Sequence, residues 1–202
     1  MARSDGVVMA RKKGLTFIKK KKRIKPSHIK EVVILLFSIT VTIFIAYVLV
    51  YTFGIRTSVI GVSMEPVLYN GQEVLIDRLV YQLTAPKKGD VIVFLPNGNP
   101  NSHFYLKRIV AVPGDTVQII GGWLYINDVL YDEDDSIDKM EDAGIAASAI
   151  RLRADEFFVL GDNRNNSEDS RSGNIGVVTR DVIKGKAWFK LPLGEIQMGF
   201  IE

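Results

Sequence analysis

The sequence predicts a mainly β domain, antiparallel and barrel-like or sandwich-like, preceded by one transmembrane α-helix. Two observations lead to this fold class. One stretch near the N-terminus holds 24 consecutive residues without a charge, between Glu31 and Arg56. After it, helical periodicity is scarce, and short runs of β-branched and aromatic residues alternate with Gly, Pro and Asn.

The uncharged stretch is long enough to cross a bilayer. At 1.5 Å per residue its helix would span about 36 Å, more than the ~30 Å of a hydrocarbon core. Tyr47, Tyr51 and Phe53 lie towards its C-terminal end, where an interfacial aromatic belt is expected. The residues that follow, Gly54–Thr57, lack the small-x-small pattern of a cleaved secretory signal. We therefore predict a retained transmembrane helix over residues 31–55.

The charges on the two sides of this helix differ in sign. The first 30 residues hold 11 of the 26 Lys and Arg residues and one of the 23 acidic residues. By the positive-inside rule, residues 1–30 form a basic cytoplasmic tail and residues 56–202 lie outside the cell membrane. Nucleic acid could also bind a basic arm. Because the arm runs directly into the apolar stretch, the lipid bilayer is the expected partner, and no nucleic acid is predicted.

Composition excludes several chemistries. The chain has no cysteine, so it has no thiol nucleophile, no disulfide and no Cys-based zinc site. Its two histidines, His28 and His103, are far apart in sequence, so a histidine metal site or a Ser-His-Asp triad would depend on His103 alone. We predict no metal and no cofactor.

Residues 56–202 contain eight candidate strands. The Gly121-Gly122 pair between two of them is a good hairpin turn. The predicted strands are Thr57–Val62, Glu73–Tyr81, Asp90–Leu95, Phe104–Val112, Thr116–Ile120, Trp123–Ile126, Glu156–Leu160 and Val182–Leu191.

Residues 132–149 interrupt the strand pattern, because they are acidic first and Ala-rich afterwards. We predict a solvated surface insertion there, with one helical turn. Its Ala147-Ser148-Ala149 triplet has a small-x-small pattern and is a weak candidate for self-cleavage.

Three segments could carry chemistry. Ser63 follows a β-rich run and precedes Pro66 by three residues, as a serine held in a turn would. Lys107 lies within an apolar, strand-like run, so it would face apolar surroundings while Arg108 points the other way. Burial lowers a lysine pKa, and a neutral amine is a competent general base. An ordinary turn serine and an edge-strand lysine are the alternatives.

The third segment is the polar loop Gly161–Arg171, which follows an apolar strand. It places Asp162 and Asp169 close in sequence to Arg164 and Arg171, so it could be rigid and internally paired. A calcium-binding loop is the competing interpretation, but its glycine and glutamate spacing is absent.

Together the three segments resemble the type I signal peptidase family, the bacterial leader peptidases of serine peptidase family S26. The resemblance covers most of residues 30–192, and the single short anchor is similar to the single-span branch. It rests on SMEPVL from Ser63, KRIVAVPGD from Lys107 and GDNRNNSEDSR from Gly161. Two positions depart from the family pattern. Val67 stands where threonine is usual, and Gly61 stands where some members have a serine hydroxyl for the oxyanion hole.

The resemblance implies a membrane-bound serine endopeptidase that removes signal peptides from secreted preproteins after an A-x-A-like motif. Ser63 would be the nucleophile and Lys107 the general base of a Ser-Lys dyad. Supporting roles fall on Met64 beside the nucleophile, on Ser167 as the residue that orients the amine, and on Arg108, Asp162, Asp169 and Arg171 as ion-pair braces. The backbone N–H of Ser63 would serve the oxyanion hole.

The substrate would pair as an extended strand with two segments of the domain. These are Ile60, Gly61 and Val62 on one side and Phe104, Tyr105 and Leu106 on the other. Two alternatives remain open at the level of the sequence. One is a self-cleaving repressor-type protein, which would be soluble. The other is a catalytically idle, membrane-anchored β domain that binds or assembles partners.

Overall fold

The structure is a computed structural model that describes residues 26–131 and 137–201. The chain divides into two compact units, one ending at Ile43 and one beginning at Phe44. The first described element is the helix α1 (Pro26–Phe53). The predicted segment 31–55 runs past its end, because Ile55 already pairs with Ile76 in a sheet.

Over Ile29–Thr52, helix α1 is long and apolar enough to cross a membrane. Three hydroxyl side chains in the middle of this segment do not interrupt it. The hydroxyls of Ser38, Thr40 and Thr42 each donate to the carbonyl four residues earlier, at 2.9 Å. This bonding hides the hydroxyls from an apolar surrounding at little cost to the helix.

The rest of the described chain is mainly β, and every strand pair is antiparallel, so the predicted fold class is confirmed. The strands are β1 (Ile55–Ser58), β2 (Glu73–Asp77), β3 (Val91–Phe94), β4 (Tyr105–Ala111), β5 (Thr116–Ile120), β6 (Trp123–Ile126), β7 (Val129–Leu130), β8 (Ile150–Arg151), β9 (Glu156–Leu160), β10 (Val178–Thr179), β11 (Ile183–Lys190) and β12 (Gly199–Phe200).

The strands form two sheets. The larger has the order β1-β2-β11-β3-β4-β9-β10, with β12 paired to β11, and the smaller has the order β7-β6-β5-β8. One core cluster joins them: Val110 and Phe158 of the larger sheet are buried with Val117 and Leu124 of the smaller. This packing makes β4 a central strand, since β3 and β9 flank it and the small sheet covers its end.

Strand prediction was accurate where the pattern is local. The bounds of β5, β6 and β9 are as predicted, and Gly121-Gly122 joins β5 to β6. Three predicted strands exceed the observed ones by one residue at each end, and two others run well past the observed end. The strand predicted over Thr57–Val62 ends at Ser58, and the one over Glu73–Tyr81 ends at Asp77.

Strand β2 ends at Asp77 because the side chain of this residue binds the turn that leads into a helix. Asp77 Oδ1 accepts the N–H groups of Leu79 and Val80 at 2.9 and 3.0 Å, which favours the short helix α2 (Val80–Leu83).

The described part of the predicted surface insertion, residues 137–149, is mostly exposed, but two of its side chains pack on the core. Residues 132–136 lie outside the described residues. Met140 and Ala146 are buried in the cluster shared by the two sheets, and Gly144–Ala147 is a 3-10 turn. The acidic composition obscured these apolar contacts. The Ala147-Ser148-Ala149 triplet thus adjoins a folded turn rather than a free loop.

Candidate active site

Ser63 lies in the turn that follows β1. Gly61 has φ of +85°, a left-handed conformation that would strain a serine at this position, and its N–H donates to Asn70 Oδ1 at 2.9 Å. Met64 is fully buried, and its carbonyl accepts the N–H of Leu68 at 2.8 Å. The turn is therefore fixed on both sides of Ser63, whose own side chain is half-buried.

Lys107 reaches Ser63 from the central strand β4. Its Nζ lies 2.6 Å from Ser63 Oγ and 5.5 Å from the centre of the Tyr105 ring. The residue is only 4% exposed, which confirms the predicted burial. A buried amine beside a hydroxyl can accept its proton only when the amine is neutral.

Burial favours that neutral form. Desolvation lowers the pKa of Lys107 from 10.5 to about 8, although the carboxylates of Asp169, Glu168 and Asp162 act in the opposite direction. The loss of hydration outweighs the attraction because none of these carboxylates forms a salt bridge with the amine in the described part of the chain. A useful fraction of the amine is therefore neutral near pH 8.

The loop Gly161–Arg171 is tied to the nucleophile through the backbone. The N–H of Asn163 donates to the carbonyl of Ser63 at 3.0 Å. A side chain at Gly161 would strike that carbonyl and also Ser167 Oγ. The close approach of the two segments therefore requires glycine at this position. The contact also fixes the position of the Ser63 backbone relative to the loop.

Two bidentate ion pairs brace this loop. Arg108 donates to both oxygens of Asp162, at 2.7 and 2.8 Å, so β4 is joined to the loop directly after Lys107. Arg171 donates to both oxygens of Asp169, at 2.8 and 2.9 Å, and Asp169 is fully buried. Asp169 also accepts the N–H of Gly161 at 3.1 Å. Such forked pairs fix direction as well as distance.

Ser167 does not make the contact that the resemblance implies. Its Oγ is buried and has no hydrogen-bond partner among the described residues. The Lys107 amine is instead directed at Ser63 Oγ.

One cavity of about 380 Å³ holds the dyad and all six predicted substrate-binding residues. Sequence reasoning missed three polar residues that share its lining: His103, Asn166 and Glu168. The Glu168 carboxylate accepts the Tyr105 hydroxyl at 3.3 Å. The sequence signal for Glu168 was its position between Ser167 and Asp169 in the third segment. Among the described residues, no group of acidic or histidine side chains could hold a metal ion.

A turn serine that faces a buried lysine amine, within a β domain, is the arrangement that a Ser-Lys hydrolase requires. Comparison with known proteins narrows the class. Residues 29–191 match the family model described as signal peptidase, peptidase S26. The chain belongs to this family and is an enzyme of the signal peptidase I type.

Individual relatives agree with the family model. A signal peptidase I of Bacillus amyloliquefaciens is 36% identical over 149 residues, which are 68% of this chain and 76% of the relative. One from Leptolyngbya laminosa is 36% identical over 163 residues, covering 73% and 78% of the two chains. A crystal structure of a signal peptidase I from Enterococcus faecalis V583 is 30% identical, with a TM-score of 0.41, and covers 51% of this chain and 97% of its own.

We expect Gly161→Ala to damage the site more than the fold. The new methyl group must displace the Ser63 carbonyl or the Ser167 side chain. Overpacking of this kind lowers the free energy of unfolding by about 1–3 kcal/mol. A displacement near 1 Å can reduce turnover by about 100-fold. Preprotein cleavage and thermal melting of the purified protein measure both effects.

Gly173→Ala is the matched control, because a methyl group at Gly173 would meet no atom within 4 Å. It should cleave at the wild-type rate. Wild-type cleavage by Gly161→Ala would contradict the close approach of the two segments.

Proposed function

We propose that the protein removes signal peptides from exported preproteins, cutting after a small-x-small motif with Ser63 as nucleophile and Lys107 as general base. The observation that carries this proposal is the 2.6 Å contact between Lys107 Nζ and Ser63 Oγ, made by an amine that burial keeps partly neutral. Membership of the signal peptidase family supports the same reaction.

The chemistry follows from the dyad. Neutral Lys107 Nζ takes the proton of Ser63 Oγ as the oxygen attacks the scissile carbonyl carbon. When the tetrahedral intermediate collapses, the carbon–nitrogen bond breaks and Nζ returns the proton to the leaving amine. Water then attacks the acyl-serine with the same amine as base, which frees the signal peptide and restores Ser63.

The oxyanion that forms in both halves of the reaction needs a donor. The backbone N–H of Ser63 is suited to this, since no hydrogen bond engages it within the described ranges. Gly61 adds no second donor. It has no side chain, and its N–H is already bound to Asn70.

An open strand edge in the cavity supports binding of an extended substrate. Tyr105–Lys107 pair with β3 on one side, but β9 joins β4 only from Arg108 onwards. In the described structure no strand occupies the other side of residues 105–107. A substrate strand can add there by β-augmentation, between Phe104–Leu106 and the exposed turn Ile60–Val62.

Membrane anchoring by α1 would bring substrate and site together. Strand β1 starts at Ile55, directly after the helix, and the eight residues from Ile55 to Ser63 span at most ~25–30 Å. A signal peptide that lies in the same bilayer presents its cleavage site close to the surface. With residues 1–30 in the cytoplasm, the site faces outward, where exported proteins emerge.

Removal of either dyad side chain should abolish cleavage. Ser63→Ala lacks the nucleophile, and Lys107→Met keeps the apolar stem of the lysine but has no base. We expect each to reduce preprotein cleavage by at least about 10³-fold, with a folded domain by circular dichroism. Ser58→Ala and Lys87→Met alter exposed residues of the same types and should cleave normally. Substantial cleavage by Lys107→Met would show that another group is the base.

Activity should rise with pH. Because only neutral Lys107 accepts the proton and its pKa is about 8, kcat/KM should fall about tenfold per pH unit below that value and level off above it. His103 lines the same cavity, so His103→Asn should be measured in parallel. The midpoint should not move in this variant. Full activity at pH 5 would exclude Lys107 as the base.

A further inference from the structure

We propose that a second cavity, lined by residues other than those around Ser63 and Lys107, binds the phosphodiester headgroup of an anionic phospholipid. This headgroup cavity has a volume of about 340 Å³ and lies within the unit that begins at Phe44. The residues that matter are Tyr51 and Thr52 at the end of α1, Arg78 just before α2 and Gln82 within it, Arg180 just before β11 and Lys184 within it. It shares no lining residue with the cavity of Ser63 and Lys107.

The lining is positively charged. Arg78, Arg180 and Lys184 contribute three cations, and no carboxylate of the described residues lines the cavity. Two acidic residues stand next to it in sequence. Asp77 is occupied by the backbone N–H groups of Leu79 and Val80. Asp181 is exposed, bonded to Thr179 and close enough to Lys184 to interact electrostatically. An anion in the cavity would still meet more positive than negative charge.

Two of the three cations are open to a ligand. Arg180 Nη2 donates to the carbonyls of Tyr81 and Thr84, so this guanidinium is held by the protein. Across residues 26–131 and 137–201, no hydrogen bond or salt bridge engages the side chain of Arg78 or Lys184. Arginine and lysine donors that converge on one space are suited to phosphate oxygens.

The surroundings favour a lipid over a free anion. Leu79 lines the cavity, and Leu83 on the same short helix is 84% exposed. Tyr51 and Thr52 belong to the last turn of a helix apolar enough to cross a membrane. Under the proposed membrane placement of α1, the cavity opens at the bilayer interface, where headgroup phosphates lie above acyl chains. The inference rests on that placement and not on the dyad. A bound lipid would give the unit an attachment to the bilayer in addition to α1.

Native mass spectrometry of the full chain in neutral detergent tests the proposal. The protein carries Ser63→Ala, so that the result does not depend on catalysis. Phosphatidylglycerol and phosphatidylcholine with identical acyl chains are titrated separately, and inorganic phosphate is added as a competitor. We expect one phosphatidylglycerol to bind about tenfold more tightly than phosphatidylcholine, with little competition from phosphate.

The test variant is Arg78→Ala with Lys184→Ala, which removes the two open cations and leaves Arg180 in its structural contacts. Its affinity for phosphatidylglycerol should fall about tenfold or more, because two charge-assisted contacts are lost. The control is Arg151→Ala with Lys139→Ala, an exposed arginine and lysine on the smaller sheet side. It has the same change of charge and should bind as before.

Three results would overturn the proposal. An equal loss in the control pair would mean that only general surface charge attracts the lipid. Equal binding of the two lipids would show that the cavity does not recognise the anionic headgroup. Displacement of phosphatidylglycerol by inorganic phosphate at similar concentration would identify a plain anion site with no preference for a lipid.

Discussion

The amine of Lys107 must meet two opposing demands. It has to leave water, because desolvation lowers its pKa from 10.5 to about 8 and makes a neutral base available. It must also keep a polar partner, since an unpaired buried amine is costly. Ser63 Oγ, at 2.6 Å, is that partner. The hydrogen bond that prepares Ser63 for proton transfer therefore also reduces the free-energy cost of burying the Lys107 amine.

Much of the surrounding structure positions these two atoms. Lys107 projects from a central strand, while the next residue, Arg108, turns to the other side and clamps Asp162 of the loop. The same loop holds the Ser63 carbonyl through Asn163. The same loop therefore fixes the positions of both the nucleophile and the base. Two of the three carboxylates near the amine, those of Asp162 and Asp169, are paired with arginines, which limits how far they can raise the pKa of Lys107.

The sequence predicted the features that local pattern controls. The apolar helix, the strands β5, β6 and β9, and the burial of Lys107 all follow from residue type and alternation. Features made by contacts between distant residues were missed. The turn at Gly61 depends on Asn70, the start of α2 on hydrogen bonds to the Asp77 side chain, and the burial of Met140 on a second sheet. Glu168 in the active-site cavity was likewise missed, because its role depends on where the loop folds back to Tyr105.

The most direct test of this account is an NMR titration of the Lys107 side chain in the detergent-solubilised full chain. The resonances of its εCH2 group report the charge of Nζ without requiring turnover. We expect a midpoint near pH 8, because burial lowers the pKa of this amine to about 8. A Lys107 midpoint near about 10.4, the value of a lysine in free peptides, would contradict the assignment of Lys107 as the base, because the amine would then be almost wholly charged near pH 8.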